Sequence, residues 1–196
     1  MASDGPARTQ AIATALAPLL VTGDLLILTG DLGAGKTCFA QGLGRGLAVE
    51  QNITSPTFTL ANRYDGRLVL HHLDVYRLDS SAETLDLDLP ELLESGVTVI
   101  EWGDRITDVL PADHLVIALR YPALPDPVGV SLAGVGDGTP GGGDGESAVG
   151  AGDDDRLIDF IPEGTSWLDR LARLGRNSAT GDASAPGADV PPDPEM

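Results

Sequence analysis

The stretch LLILTGDLGAGKTCFAQGL, beginning at Leu25, constrains the fold more than any other part of the chain. Leu25–Thr29 is an apolar run of strand length. Gly30–Thr37 reads GDLGAGKT and fits G-x-x-x-x-G-K-[ST], and an amphipathic helix follows from Lys36 to about Leu47. Glycines at 30, 33 and 35 let the backbone curl so that successive N–H groups point into one concavity. The start of the helix adds about half a positive charge at the same place. A turn of this kind between strand and helix binds di- and triphosphates. Lys36 reaches the β- and γ-phosphates, and the Thr37 hydroxyl ligates Mg²⁺.

Lys36 is the only lysine in the chain; the other 11 of its 12 basic residues are arginine. A planar guanidinium is too wide for a loop that wraps phosphate, whereas a compact ammonium fits as a point charge. As a solvent-facing loop residue, Lys36 is expected to matter for nucleotide turnover and little for the core. One lysine also excludes the Asn-Lys-x-Asp motif that reads guanine, which favours ATP over GTP.

Around this unit, strands and helices alternate. A helix over Pro6–Leu20 places Ile12, Ala15, Leu16 and Leu19 on one face. TFTLANRY and RLVLHHLDVY, separated by Asp65-Gly66, read as a hairpin. SSAETLDLDLPELLESG reads as short helices, with Ser81 as a candidate cap. VTVIEW is a buried strand, GDRITDVLP a helical turn and HLVIALRY a further strand. Near the end, Leu157, Ile158 and Phe160 alternate as a strand. Trp167, Leu168, Leu171 and Leu174 then recur at helical spacing, with Thr165 or Ser166 as N-cap and Gly175 as stop. The expected fold class is α/β, a three-layer sandwich of P-loop NTPase type with a largely parallel sheet and one antiparallel hairpin.

Composition sets limits on partners. The net charge is -18, and residues 136–196 are more than twice as acidic per residue as the rest. Broad nucleic-acid binding needs clustered Lys and Arg, and the charge argues against it for this chain alone. The charge argues against docking on anionic lipid in the same way. Residues 134–155 are rich in Gly and Asp and have almost nothing to bury; they read as a long disordered loop inside a domain spanning 1–177. Residues 178–196 read as a disordered acidic tail. One cysteine, Cys38, permits no internal disulfide. With no signal peptide and no apolar run of about 20 residues, a cytoplasmic, non-membrane protein is expected.

A phosphate loop needs a second metal anchor, usually an Asp at the end of a neighbouring strand. Asp74 in HLDVYRL supplies it. The next residue is Val75 rather than Glu, so a different carboxylate must act on the attacking water. Glu101 ends the strand VTVIE, where the ligand crevice of an open α/β sheet lies. ITSPTFTL falls where a switch loop belongs; Ser and Thr at 54, 55, 57 and 59 offer hydroxyls to Mg²⁺ or the γ-phosphate. His71 and His72 alternate faces of one strand and cannot both enter one site. Cys38, next on the helix after Thr37, reads as packing rather than as a nucleophile. Trp102 lies near the crevice and either covers a nucleotide or packs.

Taken in order, GDLGAGKT, TSPTF, HLDVYRL and VIEW resemble the TsaE (YjeE) family over about residues 5–121. Members are small bacterial ATPases that support formation of threonylcarbamoyladenosine on tRNA. The resemblance implies ATP and Mg²⁺ at Gly30, Asp31, Leu32, Gly33, Ala34, Gly35, Lys36 and Thr37, with Cys38 following. It implies Thr37, Asp74 and Glu101 at the metal, and Lys36, Asp74 and Glu101 as the catalytic set. Thr54–Phe58, with Thr57, would be the switch loop, and Trp102 would flank the nucleotide. Thr9 would lie near the base. The partners would be TsaB and TsaD, the latter performing the transfer to tRNA; hydrolysis would drive or reset that assembly, and tRNA would be met only through the partners. Two other classes fit a phosphate loop. A metabolite kinase usually closes an arginine-bearing lid, yet residues 122–155 contain no arginine. A nucleotide-gated binding module without essential hydrolysis shares every phosphate contact.

Overall fold

In the computed structural model, residues 1–78, 87–122 and 154–179 are described. Seven strands form one sheet: β1 (Ala2–Ser3), β2 (Leu25–Thr29), β3 (Ala61–Tyr64), β4 (Leu70–Asp74), β5 (Val97–Glu101), β6 (His114–Arg120) and β7 (Arg156–Glu163). Their order is β1-β7-β6-β2-β5-β4-β3. The four central strands, β6, β2, β5 and β4, are mutually parallel. Antiparallel strands close both sides: the hairpin partner β3 on β4, and β7 with β1 beyond β6. Antiparallel pairing is thus more extensive than the single hairpin in the sequence reading.

The parallel centre follows from its residues. All of Val97–Glu101 and Leu70–Asp74 are buried, as strands covered on both faces must be. Leu26 and Leu28 point to one helix layer, Leu25 and Ile27 to the other. A leucine buried this completely is worth about 1.5–3 kcal/mol relative to an exposed one.

The first layer contains α1 (Pro6–Leu16) and α2 (Lys36–Gly46). Pro6 sits in the first turn of α1, where its missing N–H costs nothing. Gly42 lets the two helices approach: a Cβ there would lie 2.5 Å from the Gln10 carbonyl oxygen. Phe39 of α2 is fully buried and meets Phe160 of β7 at a centroid distance of 6.2 Å. The C-terminal helix α4 (Leu168–Ala179) joins this layer through Trp167 and Leu171. Arg170 ties it down by donating to the Leu19 carbonyl and to both Asp24 carboxylate oxygens. The second layer holds α3 (Leu89–Ser95) and two 3₁₀ turns, Gly103–Arg105 and Thr107–Val109.

Other expectations change. Helix α1 ends at Leu16 and is followed by a 3₁₀ turn over Ala17–Leu19, and Ala15 is exposed rather than on the buried face. The segment 57–60 is a turn rather than strand, because Thr59 and Leu60 both donate to the Pro56 carbonyl and Leu60 has φ 66°. Helix α4 runs past Gly175 to Ala179, so that glycine does not stop it. Residues 2–3, which show no strand pattern, pair with Leu157 and Arg156 at the sheet edge. The candidate cap Ser81, most of the segment 134–155 and residues 180–196 lie outside the described residues.

Candidate functional site

Parallel strands β2, β5 and β4 are neighbours, so their C-terminal ends converge on one edge of the sheet. The phosphate loop leaves β2 there, and Asp74 and Glu101 are Cα partners across β4 and β5. This is the edge at which open α/β sheets bind ligands. A cavity of about 340 Å³ opens at this edge. Its lining includes Leu32, Gly33, Gly35, Lys36, Thr37 and Cys38 from the loop and helix. Thr57, Asp74, Glu101 and Trp102 face them, together with Ser55, Tyr76 and Arg77.

The loop's shape comes from main-chain packing. Gly30 has φ 126°, and a Cβ there would meet the Leu119 carbonyl oxygen at 2.0 Å. Ala34 is fully buried. Gly35, at φ 105°, precedes α2, and no side chain caps that helix. The first-turn N–H groups of α2 are thereby left for an anion.

Lys36 is not solvent-facing: it is only 5% exposed. Its Nζ donates to the carbonyls of Gly30 (2.6 Å) and Asp31 (2.9 Å) and lies 3.4 Å from the Trp102 ring centroid. Burial lowers the Lys36 pKa, against the opposing pull of Glu101, Asp74, Asp104 and Asp31. A phosphate would add negative charge beside an ammonium that burial disfavours. Trp102 therefore packs beneath the lysine and against Tyr76, 4.9 Å between ring centroids. Its φ of 65° turns the chain sharply after Glu101.

Two buried carboxylates face the lysine. Asp74 accepts from Thr57 Oγ1 at 2.5 Å, from Ser55 Oγ at 3.4 Å and, on its other oxygen, from the Tyr76 N–H at 2.9 Å. Glu101 Oε1 accepts from Thr37 Oγ1 at 2.8 Å and bonds His72 Nε2 at 2.9 Å. Thr37, Asp74 and Glu101 form a hard-oxygen set suited to Mg²⁺, which takes one or two carboxylates and fills its shell with substrate phosphate and water. Among the described residues no cluster of three His, Cys, Asp or Glu side chains could hold a metal by itself, and a metal here would draw on the Thr37 hydroxyl and on substrate oxygens.

Four of the expected nucleotide contacts stand outside the cavity lining. Gly30 and Ala34 are packed against the fold, and Asp31 gives its carbonyl to Lys36. Thr9 is buried and shares a 2.8 Å hydrogen bond with the Ser3 hydroxyl. Cys38 lines the cavity with Sγ 3.4 Å from the Pro6 carbonyl oxygen, and burial raises its thiol pKa, as packing requires and nucleophilicity does not. His72, set aside in the sequence, sits against Glu101, while His71 turns to the Ser95 hydroxyl on the other face. Tyr76 and Arg77 also reach the cavity; both belong to the HLDVYRL motif, the only sequence signal for them. No described helix is long and apolar enough to cross a membrane.

Comparison with known proteins covers the same region. The sequence model of the family described as "Threonylcarbamoyl adenosine biosynthesis protein TsaE" matches residues 3–123, which contain every motif above. "tRNA threonylcarbamoyladenosine biosynthesis protein TsaE" of Treponema pallidum is 48% identical over 108 residues, 55% of this chain and 80% of that protein. The Bacillus subtilis protein of the same name is 43% identical over 116 residues, 59% of this chain and 73% of its own length. The crystal structure of YdiB from Bacillus subtilis superposes with a TM-score of 0.67 at 31% identity, covering 91% of this chain and 94% of that one.

Proposed function

The chain belongs to the TsaE family of threonylcarbamoyl adenosine biosynthesis proteins, and from that premise we propose that it is an Mg²⁺-dependent ATPase serving threonylcarbamoyladenosine formation on tRNA. The observation that carries the reading is the convergence of Lys36, Thr37, Asp74 and Glu101 on one cavity at the end of the parallel strands. The N–H groups of the loop and of the first turn of α2 bind the β- and γ-phosphates, and Lys36 moves from its carbonyl partners to the phosphate oxygens. Of the three candidate oxygen ligands, Thr37 and Asp74 would hold Mg²⁺, which would supply positive charge beside the transferred phosphoryl group and leave Glu101 for water. Glu101 orients and accepts a proton from the attacking water, the task that Val75 cannot perform beside Asp74.

In this reading hydrolysis by the chain alone is slow. Lys36, Thr37 and Asp74 are all engaged with protein groups, and a partner that favours the released arrangement would raise the rate. TsaB and TsaD are the proposed partners. The net charge of -18 leaves tRNA contact to them, in the cytoplasm where tRNA is modified.

Glu101→Gln tests the chemical role. Nucleotide affinity should stay within a few-fold, because the phosphate contacts are intact, while hydrolysis should fall about a hundredfold. Equal turnover by variant and wild type would remove Glu101 from the mechanism. Transfer of the γ-phosphate to a metabolite instead of water would replace the ATPase reading with a kinase.

A further inference from the structure

We infer that His72 is a positioning residue that fixes the Glu101 carboxylate for its work on water. The inference rests on the ATPase reading above and adds a residue to it.

His72 lies on β4 between Leu70 and Asp74, on the sheet face covered by α1 and α2. Its Cα partner on β5 is Val99, so Glu101 is its diagonal neighbour two residues further on. The ring is fully buried, with Nε2 2.9 Å from Glu101 Oε1. For Glu101 to take a proton from water, as proposed above, its carboxylate must accept here and Nε2 must carry the hydrogen. The other ring nitrogen, Nδ1, is buried with no hydrogen-bond partner. Burying a polar ring in that way opposes folding, and an aliphatic side chain in the same place would avoid it. Packing alone therefore does not account for a histidine here; the bond to Glu101 does.

That bond also decides which oxygen is available. Thr37 and His72 both bond Oε1, and no described residue donates to Oε2. Since Glu101 lines the cavity, Oε2 is the acceptor left for water. Thr37 is also a candidate Mg²⁺ ligand, so its hold on Glu101 competes with a second task. His72 has no other partner among the described residues and keeps the carboxylate oriented whichever way Thr37 turns.

The test compares wild type, His72→Leu and His72→Gln in the full chain with Mg²⁺ and ATP. It uses hydrolysis, binding of a fluorescent ATP analogue, thermal denaturation, and ¹⁵N spectra of the histidine rings. His72→Leu should lose ten- to a hundredfold in kcat, with KM and analogue affinity within a few-fold, the range for residues that orient catalytic ligands. The amide of His72→Gln can donate where Nε2 did and should restore most of the rate. The wild-type His72 ring should show the Nε2–H tautomer, a readout that stands if the chain proves not to hydrolyse ATP. Wild-type turnover in a folded His72→Leu variant, equal losses in both variants, or an Nδ1–H tautomer would overturn the inference. If His72→Leu does not fold, the glutamine variant and the tautomer decide.

Discussion

Two loops face each other across the cavity, and they are held in different ways. Gly30–Thr37 is built into the fold: Gly30 wedges against the Leu119 carbonyl, Ala34 is fully buried, and Lys36 bonds the loop's own carbonyls. The segment 54–58 meets the site through exchangeable hydroxyl contacts. Thr57 and Ser55 share a 2.6 Å hydrogen bond and both reach Asp74 Oδ2. Beside them Phe58 is 86% exposed, its ring 4.7 Å from the Arg77 guanidinium. The contrast separates two tasks. The glycine-rich loop takes its shape from the fold itself and would meet a nucleotide already formed. The facing loop is tied to a carboxylate that Mg²⁺ would claim, so under the proposed function its order would depend on what occupies the site.

The contrast can be broken at the cradle first. Lys36→Ala should reduce ATP turnover by at least about a hundredfold, as removal of a main charge-stabilising donor does. Its melting temperature should not fall. The Lys36 pKa is depressed by burial, so the folded state binds fewer protons than the unfolded one between the lowered value and 10.5. Burial of the ammonium thus opposes folding below that window, and the opposition fades as pH rises through it. Urea titrations should show the variant's relative advantage at pH 7 shrinking toward pH 10. Turnover at the wild-type rate would contradict the site assignment.

Gly30→Ala comes next. The methyl would fall 2.0 Å from a backbone oxygen at a φ of 126°. A loss of about 1–3 kcal/mol in stability and weakened nucleotide binding are expected. An unchanged denaturation midpoint would show that the cradle is softer than its packing implies. The smallest effect belongs to the facing loop. Thr57→Val removes one of three donors to Asp74 and should lower turnover about tenfold, with a stability loss of only about 0.5–1.5 kcal/mol, since Ser55 and the Tyr76 N–H still serve the buried carboxylate. A stability loss as large as that of Gly30→Ala would erase the distinction between the loops.

Much of this was legible in the sequence. The unit β2–loop–α2 was readable because apolar run, glycine spacing and helical period agree over Leu25–Gly46. Asp74 and Glu101 were readable because each ends an apolar strand. What stayed hidden depends on register or on chain reversal. The His72–Glu101 pair requires the parallel register of β4 on β5, which no local pattern encodes. The parking of Lys36 over Trp102 requires the left-handed turn at Trp102, an unusual conformation for a bulky residue. Thr59 and Leu60 read as strand by composition, but the turn after Pro56 overrides their preference. Ala2–Ser3 is too short to show alternation and is a strand only because β7 offers a free edge.

The central claim is that this chain is an ATPase whose rate depends on its partners. The direct measurement is phosphate release from Mg²⁺-ATP by the purified chain, alone and with TsaB and TsaD. Slow release alone and a clear rise with both partners, lost in Lys36→Ala, is the expected result. No rise with the partners, together with phosphate transfer to a small metabolite, would contradict it.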